Sequence, residues 1–240
     1  MSQNYSISIL LPVINETYSL EKTVKIILNE NFDSLKEIIV LVSENKTNKK
    51  SYEIINSLLV KHPDIIKVSK QDLPFLGGAI RKGFEICNGS HVILMASDLE
   101  TNPHDVKELI LNSKKNKNSI ITTSRWISGG SFKNYSYIKL LLNFVFQNIL
   151  KIIFFTRFTD LTYGFRLFPS HVIKNIEWSE LRHAFLLESI LKPLKMNINI
   201  IEIPSKWSAR TEGVSQNSFL LNFIYIKTAL KIKFFWKAQK

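Results

Sequence analysis

The sequence predicts an α/β protein built on a mostly parallel sheet flanked by helices, and three observations carry that prediction. Up to residue 124, five short β-rich runs alternate with helix-length segments. The runs are almost continuously apolar, as strands buried on both faces must be. One of them, HVILMASDLETNP, passes directly into Asp98 and Glu100 and stops before a proline-led helix. The carboxyl ends of strands are where an open α/β sheet gathers its ligands.

The strands are expected over residues 7–13, 38–42, 65–69, 91–96 and 119–123, with helices in the gaps. On an extended segment, residues i and i+2 point the same way, so Asp98 and Glu100 are placed to share one hard cation. Asn102 is a candidate helix cap, with Pro103 at the first helical position. An ordinary solvated strand-to-helix turn would show the same residues, so other segments must decide.

Beyond residue 124 the character changes. A glycine-containing loop, SRWISGGSFKN, precedes the helical run YIKLLLNFVFQNILKIIFF, in which Lys139, Asn143, Gln147 and Lys151 recur every four residues. This spacing draws one narrow polar stripe on an otherwise apolar helix. Lysine interrupts the apolar run, so the helix is expected to lie in a membrane interface rather than cross it; a buried core or dimer helix is the alternative. The segment FLLNFIYIKTALKIKFFWK repeats the theme, with Lys227, Lys231, Lys233 and Lys237 among aromatic and aliphatic residues. Basic amphipathic helices of this kind suit anionic lipid surfaces.

The composition, 45% hydrophobic and 22% charged over 240 residues, is that of a folded globular chain. Net charge +12 calls for an anionic partner. Charge alone does not choose among nucleic acid, an anionic membrane surface and a phosphorylated substrate, and the apolar character of the two basic helices favours a membrane surface over nucleic acid. A lone cysteine, Cys87, excludes an internal disulfide and is expected to pack as a small hydrophobe. MSQNYSISILLPV lacks the pattern of a secretion leader.

With LPVINE at 11–16, FLGGAIRKGFEICNG at 75–89, MASDLETNP at 95–103, SRW at 124–126, DLTYGFRLF at 160–168 and SARTEGVS at 208–215, the chain resembles the family 2 glycosyltransferases of GT-A fold. The branch acting on dolichyl and polyprenyl phosphates is the most similar. The resemblance implies a Rossmann-like GT-A domain over 1–215, with a nucleotide-sugar half (1–124) and an acceptor half (125–215), followed by a basic amphipathic helix over 216–240. It implies an inverting hexosyltransferase that moves mannose or glucose from a UDP- or GDP-linked sugar to a polyprenyl or dolichyl phosphate. The protein would be peripheral on the cytoplasmic face of a membrane, with a membrane-protein subunit as a possible partner and no nucleic acid. Transfer to a glycan or glycolipid hydroxyl in cell-envelope polysaccharide synthesis stays open, as does a catalytically silent sugar-nucleotide-binding relative.

On this resemblance, Pro12, Asn15, Glu16, Ser43 and Glu44 line the nucleoside, although Glu16 has an alternative use in capping. Gly77 and Gly78 permit close approach to the donor, Ser97 joins the donor set, and Arg210 and Ser215 close a loop over the diphosphate. Asp98 and Glu100 hold Mg²⁺ or Mn²⁺. Arg125, Lys139 and Asn143 receive the acceptor, and Asp98, Asp160 and Arg166 stand near the chemistry. Glu188 is a candidate base for a hydroxyl acceptor, or a polar residue on a packed helix. Two departures weaken the match: Ala96 stands at the first position of the DxD motif, and Ser43–Glu44–Asn45 replaces paired aspartates after the second strand.

Overall fold

The structure, a computed structural model, describes residues 5–30, 33–212 and 221–238. In chain order the elements are β1 (Ile7–Val13), α1 (Tyr18–Asn29), β2 (Leu35–Val42), α2 (Lys49–Lys61), β3 (Ile66–Lys70), α3 (Phe75–Ile86) and β4 (His91–Leu94). A 3-10 turn (Pro103–Asp105) leads into α4 (Val106–Lys115), followed by β5 (Ile120–Ser124), β6 (Ser131–Lys133), α5 (Tyr137–Phe154) and β7 (Arg166–Pro169). Then come α6 (Ser170–Lys174), α7 (Ala184–Lys195), β8 (Ile200–Pro204), β9 (Lys206–Ser208) and α8 (Leu221–Phe234).

Seven strands form one sheet in the order β3-β2-β1-β4-β7-β5-β8, and β6 pairs with β9 beside it. Every pairing in the large sheet is parallel except those of β7, which runs antiparallel to both β4 and β5. The sequence reading did not resolve β7. Its four residues are all buried and include an arginine and a proline, so they carry no periodic signal. Two apolar cores cover the two faces of the sheet. Ile9 and Leu11 of β1 enter one with Val24, Ile38 and Val106, whereas Leu10 enters the other with Phe84, Phe168 and Phe185. This alternation is what a central strand imposes. In α1, Leu20, Val24 and Ile27 are buried at the spacing of one helical face.

A carboxylate is buried where β1 and β2 pair. Glu37, opposite Ser8 in the ladder, accepts from Ser8 Oγ at 2.6 Å, from the Asn88 N–H at 2.7 Å and from Lys67 Nζ at 2.5 Å. Burial alone would raise its pKa, but these three donors outweigh burial and hold it below the usual carboxylate range. A depressed folded-state pKa gives stability that is present above the unfolded value and lost as pH falls through the folded one. Glu37→Gln is therefore expected to cost about 1–3 kcal/mol in urea unfolding at pH 7. The gap from wild type should narrow once pH falls below 4.5.

The helix α5 departs from the rule that helices bury an apolar stripe. Its buried residues are Gln147 and Leu150. Tyr137, Ile138, Leu141, Phe144, Val145 and Ile152 face outward, so the core of this chain does not cover them. The lysines do not take α5 below the length and apolarity of a membrane span, a test it passes by length and composition alone. Its neighbour α8 exposes Phe223 and Phe234, with Phe235 exposed just beyond it, and Lys233 of α8 lies 4.9 Å from the ring centre of Phe155 at the end of α5.

Candidate active site

The chain leaves β4 at Leu94 and turns sharply over the carboxyl edge of the sheet. Ser97 Oγ donates to the Pro12 carbonyl at 2.9 Å, tying this turn to the end of β1. Leu99 has φ 62°, in the left-handed region that side chains disfavour, and the Glu100 N–H donates to Asp98 Oδ1 at 3.0 Å. Asp98 and Glu100 therefore converge through a strained turn and not through the alternation of an extended strand. Arg210 receives both: its Nη2 lies 3.1 Å from Asp98 Oδ2, and its Nε lies 2.8 Å from Glu100 Oε1. Burial, then the neighbouring Glu100, pushes the Asp98 carboxyl up to about 6 against the pull of Arg210. Asn102 caps the following turn by accepting from the His104 N–H, with Pro103 at its first position.

Arg210 reaches the carboxylates from a strap that follows β9, and Glu212 fastens the strap. Glu212 accepts from the Thr17 N–H at 2.6 Å, Thr17 Oγ1 at 2.9 Å, the Ser19 N–H at 3.0 Å and Ser19 Oγ. No side-chain cap from Thr17 serves the start of α1, so the carboxylate of a distant segment does. Glu212→Ala is expected to cost about 1 kcal/mol in thermal stability, read as a lowered melting midpoint. Ser215 lies outside the described residues.

The other donor-side candidates line the same edge. Glu16 caps its own turn, accepting from the Ile14 N–H at 2.6 Å and the Asn15 N–H at 3.0 Å. Asn15 bonds Asn48, the Ser43 N–H donates to Thr47 Oγ1, and Glu44 pairs with Lys70. Gly77 and Gly78 answer to packing: a Cβ on Gly77 would sit 2.5 Å from the Glu180 carbonyl oxygen, and one on Gly78 would sit 2.2 Å from that of Leu73. The Gly77 N–H is already bonded to the Leu181 carbonyl at 2.7 Å.

Of the residues expected to receive an acceptor, Arg125 is locked. Its Nε and Nη2 meet the Asp160 carboxylate at 2.7 and 2.9 Å, and the rings of Tyr163 and Phe132 cover the guanidinium. Burial would lower the Arg125 pKa, and Asp160 more than restores it. Gln147 of α5 joins them, donating to Asp160 Oδ1 at 3.3 Å and Thr162 Oγ1 at 2.6 Å and accepting from the Leu161 N–H. Asn143, one turn earlier, bonds Gln147, and Lys139 another turn earlier is exposed. Arg166 stitches β7 to its surroundings through Thr122 Oγ1, Ser189 Oγ and the carbonyls of Leu161 and Leu186. Burial without a carboxylate in contact brings its pKa down to about 10. Glu188 pairs with Lys192 at 2.6 Å and accepts from Ser179 and the Glu180 N–H. Asp160, Arg166 and Glu188 are thus sealed inside, at 1%, 0% and 0% exposure, and Asp98 stands with Glu100 and Arg210 at the strand end.

Residues 8–176 match the model of glycosyl transferase family 2. The chain belongs to that family. Among its relatives is a dolichol-phosphate mannosyltransferase from Pyrococcus furiosus, 24% identical over 92% of this chain. The chain spans 62% of that relative's length. A polyprenol monophosphomannose synthase from Mycolicibacterium smegmatis is 21% identical over 86% of this chain and 80% of its own. In fold, the chain is similar to glucosyl-3-phosphoglycerate synthase from Mycobacterium tuberculosis, solved with Mn²⁺, UDP and phosphoglyceric acid. The TM-score is 0.72 and the identity 15%, over 98% of this chain and 81% of that one. The GT-A arrangement of sheet and helices follows from this likeness.

In this family 2 chain, the sequence reading passed over His183. It precedes α7, where burial and then Arg210 push its pKa down while Glu100 opposes them. The signal was the polar doublet Arg182–His183 ahead of the apolar run AFLLESILK. Among the described residues, no three His, Cys, Asp or Glu side chains group as a metal site. Asp98 and Glu100 nevertheless both turn a carboxylate oxygen to the one guanidinium of Arg210. That pair fits a hard cation whose remaining ligands come from substrate and water.

Proposed function

We propose that the chain transfers a hexose, with inversion, from a nucleotide sugar to a polyprenyl or dolichyl phosphate at a membrane surface. The observation that carries this reading is α5. Its outer face is apolar and uncovered, while its one polar stripe descends from exposed Lys139 through Asn143 to buried Gln147 and the Asp160–Arg125 pair. A lipid acceptor needs this combination, an apolar support for the chain and a polar track for its headgroup. The similarity to two polyprenol-phosphate mannosyltransferases points the same way.

In this reading Arg210 neutralises charge on the leaving diphosphate, and the strap pinned by Glu212 keeps it there. Asp98 and Glu100 orient Arg210 and would hold Mg²⁺ or Mn²⁺, which when bound supplies further positive charge to the diphosphate. The phosphate oxygen of a lipid acceptor is already anionic near neutral pH, so attack needs no strong base. The enclosure of Glu188 agrees with that economy. The protein would sit peripherally on the cytoplasmic face, with the lysines of α8 toward anionic lipid.

The test is release of nucleoside diphosphate from a panel of UDP- and GDP-sugars, with polyprenyl phosphate in detergent and Mn²⁺ or Mg²⁺, comparing wild type with Asp98→Ala. Release that requires the lipid phosphate and collapses in the variant is expected. Release that proceeds equally with a glycan acceptor and no lipid phosphate would refute the lipid reading.

A further inference from the structure

The strongest unexplained feature of the site is Phe75, the first residue of α3. It has φ 65°, a conformation a bulky aromatic rarely adopts, and such strain persists where its surroundings impose it. Here they do. Gln71 Nε2 donates to the carbonyls of Leu73 and Phe75 at 2.6 and 3.3 Å, and two residues on, the Gly77 N–H is held by Leu181. The result is a ring fixed between two cations from separate loops. The Arg182 guanidinium lies 3.9 Å from its centre, and Lys46 Nζ lies 4.8 Å from it.

The two cations come from the loop after β2 and the loop before α7, so the ring joins the expected nucleoside side of the cleft to the side that carries His183. Among the described residues, Arg182 and Lys46 form no ion pair and their side chains form no hydrogen bond. Each meets the ring, which orients a cation without consuming its N–H donors. Arg125, the arginine expected to meet a phosphate, is closed off by Asp160, and Arg210 divides its donors between two carboxylates and the proposed diphosphate, so the second substrate phosphate has no arginine of its own. A cleft that accepts phosphate esters still needs unpaired donors, and an arginine fork suits them.

We infer that Phe75 is a platform that presents Arg182, with Lys46 beside it, to a phosphate group of one of the two substrates. This inference rests on the glycosyltransfer reading and names a binding residue which that reading lacks. The phosphate belongs either to the donor diphosphate or to the lipid acceptor, and the test separates them. Titration of UDP and GDP with Mn²⁺, followed by calorimetry, reads the donor arm. The KM for polyprenyl phosphate in detergent reads the acceptor arm.

Arg182→Gln is expected to weaken one arm at least about tenfold, the loss of one charge-assisted contact. Phe75→Gly accepts φ 65° without strain, which offsets the lost ring contacts and the added chain entropy, so it should melt within a few degrees of wild type while weakening the same arm. Both variants within twofold of wild type in both arms would overturn the inference and leave the glycosyltransfer reading intact. Wild-type protein that binds neither UDP nor GDP and turns over no lipid phosphate would overturn both.

Discussion

Arg210→Ala is expected to lower kcat/KM for nucleoside diphosphate release about 10²–10³-fold, the effect of removing one preorganised donor from developing charge. Arg210 is the cation that both Asp98 and Glu100 address, through different nitrogens, so its fork is fixed before substrate arrives. Arg210→Lys keeps the charge but cannot span two carboxylates with two fixed donors, and should recover only part of the loss. Because the strap is also fastened by Glu212, the alanine variant should keep its thermal midpoint within a few degrees of wild type. Steady-state kinetics beside a melting curve separates a chemical effect from a folding one. An unchanged kcat/KM would remove Arg210 from the proposed mechanism.

Asp160→Ala should have the largest effect on stability, a loss of about 3–5 kcal/mol in urea unfolding, because it leaves a buried arginine without its counter-charge. Arg125 is buried, with the rings of Tyr163 and Phe132 on it and Asp160 as its carboxylate. The variant also strips a hydrogen bond from Gln147 and so loosens α5. Removing both charges in Arg125→Met/Asp160→Leu should be milder than Asp160→Ala alone, since an apolar pair leaves nothing ionised in the interior. A double variant as unstable as the single one would show that the pair holds the loop by shape rather than by charge.

The strands were legible because burial on both faces forces apolar runs, and β1, β2 and β5 fall within a few residues of their expected places. The short β7 was not legible, since a strand of RLFP enclosed by neighbours on both sides needs no pattern of its own. The carboxylates after β4 were legible as residue types. What joins them is not: Leu99 takes a left-handed turn that no propensity announces, and Arg210 arrives from 110 residues away. DLTYGFRLF reads as chemistry through its resemblance to a family 2 motif, which fixes residue types and not what they face. In the fold, Asp160 and Arg166 are directed at internal partners, a distinction that depends on which residues lie opposite and so is invisible along the chain. On α5 the stripe was legible, but not which side of it would be covered.

The antiparallel strand β7 has a consequence for how the chain assembles. The blocks β3-β2-β1-β4 and β5-β8 share no hydrogen bonds with each other, since β7 is the only strand pairing with both among the described residues. During synthesis the first block can close once β4 emerges, but β4 then keeps an open edge until residues 166–169 appear. Meanwhile β5 waits still longer for β8. Pairings this far apart in sequence must meet their loop-closure cost before any ladder forms, and they make folding slow. An unpaired β4 edge in that interval is where a nascent chain would join a neighbour instead of itself.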